Sequence, residues 1–245
     1  MEGKNEKIMF AVMACVMTMG SVFCKERELK IEMIEIPGKD FKMLETEVTQ
    51  EMFESVMGEN PSHFKGADLP VESVSWYDAI YFCNKLSLLK NLEPVYSVNG
   101  STNVSTWDYT PFKIETLNGE ITQNTSATGY RLPTYEEWTY AASGGEDYDF
   151  AGSDDLDEVG WHKCNSNGET SPVSQKQYNG YGLFDMSGNV SEWVWNSYST
   201  DYRYYCGGCY EFADNCKIGH KHRYYAKLRS SHIGFRIVCV SSEQE

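Results

Sequence analysis

Apolar and polar residues alternate from Ile31 to Met43 around a break at Pro37-Gly38, which predicts a pair of strands. Glu45 to Thr49 leads into a short helix with Phe53, Val56 and Met57 on one face, and Gly58 to Pro70 reads as loop. Ser75-Trp-Tyr-Asp78 is a capping box, its two side chains suited to the free amides of a first helical turn. The helix it opens, Trp76 to Leu89, stacks Ala79, Ile80, Cys83 and Leu86 on a core-facing side. The stretch from Pro94 to Thr128 is rich in Asn, Ser and Thr; within it Phe112 to Ile121 alternates about Asn118-Gly119, which predicts a tight hairpin. Thr134-Tyr-Glu-Glu137 is a second capping box, opening a helix to Ala142 that Gly144-Gly145 stops. An acidic loop follows, Glu146 to Glu158, and then three aromatic strand-like pieces near Tyr181–Phe184, Val190–Tyr198 and Ile233–Val240. Neither an internal repeat nor a linker divides the chain, so residues 25–245 are expected to form a single α+β domain.

Tyr202 to Arg236 fits no period. It holds six of the chain's 17 Tyr, three of its five His and three of its eight Cys. Tyr204-Tyr205, His220 to Tyr225 and Ser230 to His232 repeat at neither 2 nor 3.6 residues. Adjacent tyrosines such as Tyr204-Tyr205 and Tyr224-Tyr225 cannot both face inward on a strand. Tyr, His and Ser in such mixture suit a contact surface, because Tyr gives a large amphipathic area at low entropy cost. These side chains are expected to cluster on one exposed face.

Charge sharpens the contrast. The chain carries −15, while Thr200 to Arg236 has seven Lys/Arg against three Asp/Glu and so is locally +4. The overall balance argues against a nucleic-acid partner, whose phosphates require clustered basic residues; the basic tail points toward an acidic one. Residues 1–24 read as an export segment: Lys4 and Lys7, then an uncharged, mostly apolar run from Ile8 to Phe23, then charged Lys25-Glu-Arg-Glu28. Cys24 suggests lipidation of a bacterial lipoprotein; Cys15 after Val12-Met-Ala and plain secretion after Gly20 or Ser21 are the alternatives. Export places the other six cysteines, 83, 164, 206, 209, 216 and 239, in an oxidising compartment, where fifteen pairings are open. Cys83, on the apolar face of a helix, reads as a buried thiol.

Ile36-Pro-Gly38, Pro70-Val71, Val74 to Ala79, Gly129-Tyr-Arg-Leu-Pro-Thr134, Glu136-Glu-Trp138, Gly182 to Trp193, Gly207-Gly208 and Gly234-Phe-Arg236 occur in order. Together they resemble the sulfatase-modifying-factor family, the formylglycine-generating-enzyme type of the C-type lectin fold. That resemblance implies two helices among small antiparallel sheets and long loops. It also implies calcium, held here by Asn189, the Val190 carbonyl and Glu192, with Asn165 before Pro172-Val173 nearest to a second site; hard oxygen donors suit that ion. No organic cofactor is implied. The enzymes of the family bind copper(I) through two cysteines five positions apart shortly after the Gly-Gly. This chain has Cys209 and Cys216, seven apart, and a Cys206/Cys209 C-x-x-C.

The non-catalytic branch that the tail resembles is the variable proteins of diversity-generating retroelements, in which adenine-directed rewriting alters codons near the gene's end. That resemblance implies anchors at Gly207-Gly208, Cys216 to Ile218, Arg229 and Ile233 to Arg236. The displayed, ligand-binding positions would be Tyr204, Tyr205, Cys206, Tyr210, Phe212, Asp214, His220, His222, Tyr224, Tyr225, Ser230, Ser231 and His232. Glu211, Lys221 and Lys227 do not come readily from an Asn codon by adenine change. The expected protein is a lipid-anchored surface protein of the bacterial outer membrane whose variable region, about 202–236, binds a protein or glycan on another cell or host surface. The alternatives are a metal-dependent oxidative enzyme and an undiversified member of the fold.

Overall fold

A computed structural model describes residues 29–241, so the expected export segment, residues 1–24 with Cys24, lies outside the described residues. The predicted strand pair is β1 (Met33–Glu35) and β2 (Phe41–Leu44), antiparallel with Met33 opposite Leu44. β9 (Val238–Val240) pairs antiparallel along the other side of β2, Met43 opposite Val238.

Helix α1 (Gln50–Met57) starts at Thr49, whose hydroxyl accepts the Met52 N–H, and stops at Gly58 in the left-handed conformation. Both capping boxes form: Ser75 with Asp78 opens α2 (Trp76–Leu89), and Thr134 with Glu137 opens α3 (Tyr135–Ser143). Each such cap contributes about 1 kcal/mol. Phe53 of α1 stacks on Phe82 of α2 at 5.3 Å, and both rings meet Phe235 edge-on, which builds the larger core. A second core sets Trp138 and Ala141 of α3 against Met43 and Val194. The acidic loop contains a short helix, α4 (Leu156–Val159), too brief for periodicity to register.

The hairpin expected about Asn118-Gly119 is absent. β4 (Ile121–Gln123) pairs instead with β3 (Tyr96–Val98), Ile121 opposite Val98. The segment before it is spent elsewhere: Phe112 N–H donates to Asp78 Oδ1 at 3.1 Å, and Thr110 N–H to Glu115. A Cβ at Gly119 would meet the Asn99 amide at 2.5 Å, so Gly119 marks a close approach rather than a turn tip. Tyr181–Phe184 is likewise loop, because the Asn179 side-chain oxygen accepts from the Tyr181 and Leu183 amides and holds a local turn.

The tail does contain strands. β5 (Ser191–Ser197), β6 (Tyr202–Cys206), β7 (Lys221–Tyr225) and β8 (Ile233–Gly234) form a sheet ordered β7-β6-β5-β8. The β5–β8 pair is parallel, a departure from all-antiparallel sheets.

Arg236 and Glu192 form a fully buried ion pair where these pieces meet. Arg236 Nε and Nη2 donate to Glu192 at 2.7–2.9 Å. Its remaining donors reach the carbonyls of Leu44, Glu45 and Phe184, and Trp138 Nε1 donates to Glu192 Oε2 at 2.7 Å. Two further buried carboxylates face this pair, and each has one oxygen without a hydrogen bond, Glu47 Oε2 and Asp185 Oδ1. Burial raises both, Glu47 well above the usual range and Asp185 to about 6, and the Glu192 charge adds to it.

Removing one partner of the central pair leaves an uncompensated buried charge. Arg236→Met alone and Glu192→Gln alone should each destabilise by about 3–5 kcal/mol in urea unfolding, and Arg236→Met/Glu192→Leu by less than the sum. A raised carboxyl binds its proton more tightly in the folded state than in the unfolded state. The Asp185 contribution is therefore fully present below its ordinary value of 3.8 and is lost as pH rises through about 6. Asp185→Asn should raise the thermal midpoint by several degrees at pH 7.5, about 3 kcal/mol, and by little at pH 4.

Candidate ligand-binding surface

Register fixes which side chains share a face of the β6–β7 ribbon. Tyr202 opposes Tyr225, Tyr204 opposes Arg223 and Cys206 opposes Lys221; on the other face Arg203 opposes Tyr224 and Tyr205 opposes His222. The expected single face is therefore two.

On the first face, Lys221 Nζ sits 3.9 Å from the Tyr135 ring centre and 4.8 Å from that of Tyr204. Arg223 lies 3.9 Å over Tyr198, and Tyr202 meets Tyr225 at 4.1 Å. On the second face, Tyr205 stacks on His222 at 5.7 Å and meets Trp193 edge-on, while Arg203 lies 4.2 Å over Trp76. Tyr204, Tyr205 and Tyr224 are half-buried; His222 and Tyr225 are exposed. The rings of Tyr135 and Tyr198 were not singled out by sequence, because they lie outside the tail. The β5–β6 hairpin would have pointed to Tyr198.

Between β6 and β7 the chain makes a loop that depends on its glycines. Gly208 has φ +73, and a Cβ there would meet Cys216 Sγ at 2.5 Å and its backbone at 2.7 Å. Asp214 and His220 are exposed on this loop, and Phe212 is 50% exposed. Phe212 belongs to a third group. Tyr210 stacks on His232 at 5.0 Å, Phe212 approaches His232 at 5.7 Å, and Phe64 meets Tyr210 edge-on. His232 Nε2 is 2.7 Å from Glu211 and its Nδ1 3.1 Å from Ser230; Ser231 contacts the Tyr210 hydroxyl. Ser230, Ser231 and His232 are half-buried. Two assignments are corrected: Cys206, 1% exposed, and Tyr210, 3% exposed, are packing residues rather than displayed ones.

Of the expected anchors, Arg229 and Arg236 are held by buried carboxylates. Arg229 pairs with buried Asp78 at 2.8 Å. That carboxylate also accepts the Ser75 amide and the Tyr109 hydroxyl, so the cap of α2 doubles as the tail's mooring. The His232 carbonyl accepts the Ser191 amide.

The residues expected to hold calcium do not fit that ion in this geometry. Both Glu192 oxygens are taken by Arg236 and Trp138. The Asn189 amide brackets the Ser171 backbone, accepting at 3.0 Å and donating at 3.2 Å. Asn165 spends its oxygen on the His162 N–H and its nitrogen on Asp157 and Gly160, away from Pro172-Val173. Among the described residues no set of three or more His, Cys, Asp or Glu is arranged around a metal position.

Six cysteines are free among the described residues, Cys164 exposed and Cys83 buried as expected. Burial raises the Cys206 thiol, and raises Cys209 to about 11 and Cys216 to about 12; the nearness of Cys209 adds to the last. None of these three has the depressed value of an activated thiolate.

Residues 3–240 match the family described as the sulfatase-modifying factor enzyme 1-like domain. Chaperone protein LppX of Paenibacillus barcinonensis is 41% identical over 180 residues, 65% of this chain and 63% of that protein; the chain thus spans less than two thirds of it. The formylglycine-generating enzyme of Thermomonospora curvata is 38% identical over 89 residues, 30% of this chain and 29% of the enzyme. Among solved structures, Treponema denticola variable protein 1 superposes with a TM-score of 0.76 at 32% identity, covering 87% of this chain and 93% of that one. The crystal structure of CarF superposes at 0.74 and 29%, covering 87% and 100%. With its ordered motifs, its Arg236–Glu192 centre and a family match over nearly its full length, the chain belongs to the sulfatase-modifying-factor family and carries the formylglycine-generating-enzyme type of C-type lectin fold.

Proposed function

We propose that this protein is a non-catalytic, exported ligand-binding protein whose C-terminal region, Tyr202–Arg236, is diversified by a retroelement. The observation that carries the reading is the division of labour in that region. Its backbone is tied by Gly208 against Cys216, by Arg229 to Asp78 and by Arg236 to Glu192, while Phe212, Asp214, His220, His222 and Tyr225 project outward. A surface ordered in advance presents many side-chain sets without a new folding cost for each. The similarity to Treponema denticola variable protein 1 supports the same reading. The raised thiols support a role other than thiolate chemistry. Lipid anchoring at Cys24 and display at the bacterial outer surface belong to this proposal, as does a protein or glycan ligand.

One observation favours the oxidative-enzyme alternative: Cys209 and Cys216, though seven apart in sequence, lie near one another. A copper(I) titration of the protein and of Cys209→Ser/Cys216→Ser separates the readings. Thiol-dependent copper binding favours the enzyme, and its absence removes it.

Two measurements test the main proposal. The DNA beside the gene should hold a near-copy of the tail's coding sequence, differing at adenines, next to a reverse transcriptase gene. Sequences from many cells should vary at codons 212, 214, 220, 222 and 225 and stay constant at 207, 208, 229 and 236; evenly spread variation, or no near-copy, sinks the idea. In stability assays, Asp214→Ala, His220→Ala and Tyr225→Ala should stay within about 0.5 kcal/mol of the parent. Tyr210→Ala should cost about 3 kcal/mol, because it opens the packing against Phe64 and His232.

A further inference from the structure

β7 is the last strand of its sheet, and its outer edge is open. Among the described residues, the only backbone bond that Lys221–Tyr225 makes beyond the pairing with β6 is the Leu228 N–H to the Tyr225 carbonyl. An antiparallel pairing turns both polar groups of every second residue away from the partner, so part of this row faces solvent with nothing to bond but water. The strand itself contains no proline, and its pairing with β6 has no bulge. What guards it is charge. Lys221 and Arg223, two residues apart on one face, make no ion pair among the described residues. The Tyr135, Tyr204 and Tyr198 rings hold both in place, which limits the side-chain entropy lost on meeting an anion.

We propose that the free edge of β7 receives an extended, acidic segment of a protein partner as an added strand. Charge complementarity selects this occupant. Of the seven cations in the tail, Lys217, Arg229 and Arg236 are paired with Asp149, Asp78 and Glu192 outside it, which leaves Lys221 and Arg223 as the unpaired charges on β7 among the described residues. Lys221 and Arg223 repel a neutral or basic strand through unpaired desolvation and like charge, and they attract a strand bearing carboxylates at alternate positions. The proposal rests on the tail being a binding surface, and it adds a division within it. The backbone edge and Lys221 recognise a strand of any sequence with the right charge, while His222, Tyr224 and Tyr225 read its side chains.

The test uses a capped nonapeptide of alternating Glu and Val, its D-enantiomer, and heparin as a non-peptide polyanion. The L-peptide should bind the protein, and amide hydrogen exchange at Lys221–Tyr225 should slow in the complex. Affinity should fall at least tenfold in Lys221→Glu/Arg223→Glu, whose thermal melt stays cooperative with a midpoint lowered only by the lost ring contacts, and should weaken as salt rises. The D-peptide, with the same charge and the wrong handedness, should bind at least tenfold more weakly. Equal binding of both enantiomers, or heparin competition with no slowed amides, would make this a plain anion surface and overturn strand addition. So would no binding of the L-peptide at millimolar concentration. A dimer in sedimentation that Lys221→Glu/Arg223→Glu abolishes would assign the edge to a second copy and overturn it too. Variation of the displayed codons stands or falls separately, because it is read from DNA.

Discussion

The structure depends on one buried charge pair. Arg236 and Glu192 are fully enclosed, and taking two such ions out of water costs several kcal/mol each unless geometry and extra hydrogen bonds compensate. Here they do. The guanidinium's donors are all engaged: two nitrogens grip the carboxylate, and the rest reach three backbone carbonyls on two separate segments. Trp138 brings α3 to the same carboxylate. One residue thus joins the end of β2, the loop before β5, the first residues of β5 and the tail. A hydrophobic substitute of equal volume could fill the space but could not fix the register of four segments at once. The neighbouring Glu47 and Asp185 make the centre more costly, and their raised affinity for protons is the consequence.

That centre also sets what the tail can do. Arg236 holds its end, Arg229 holds its middle through Asp78, and Gly208 packs its beginning onto Cys216. With the main chain tied at three places, side chains between the ties contribute little to stability. The same logic explains why Cys206 and Tyr210 are poor candidates for display: both sit beside a tie, one in β6 against α3's core and one stacked on His232.

The parts legible in sequence were those with a local signature. Ser75 with Asp78 and Thr134 with Glu137 announced two helices, and the Arg229 and Gly-Phe-Arg anchors were recognisable from the family's motifs. The strands β6 and β7 were not legible, since period 2 appears only when one face is buried and the other wet. In this ribbon both faces are half covered, by Trp193 and Trp76 on one side and by Tyr135 and Tyr198 on the other. Asn118-Gly119 carried a genuine turn signal that long-range bonds from Phe112 to Asp78 overrode. The calcium set failed for a related reason: sequence could place Asn189 and Glu192 on one segment but could not see Arg236 occupying the carboxylate from 44 residues away.

The division of the displayed residues between two faces constrains how a ligand can meet them. A flat partner lying on one face of the β6–β7 ribbon touches Tyr204 and Tyr225 or Tyr205 and His222, not both sets. Successive side chains of a strand alternate, so a strand added beside β7 sends its own residues to both faces in turn. Only an approach along the edge therefore lets one ligand segment adjoin Tyr225 on one face and His222 on the other. Hydrogen bonding to the unpaired backbone would then supply a part of the affinity that is independent of which residues the displayed positions carry.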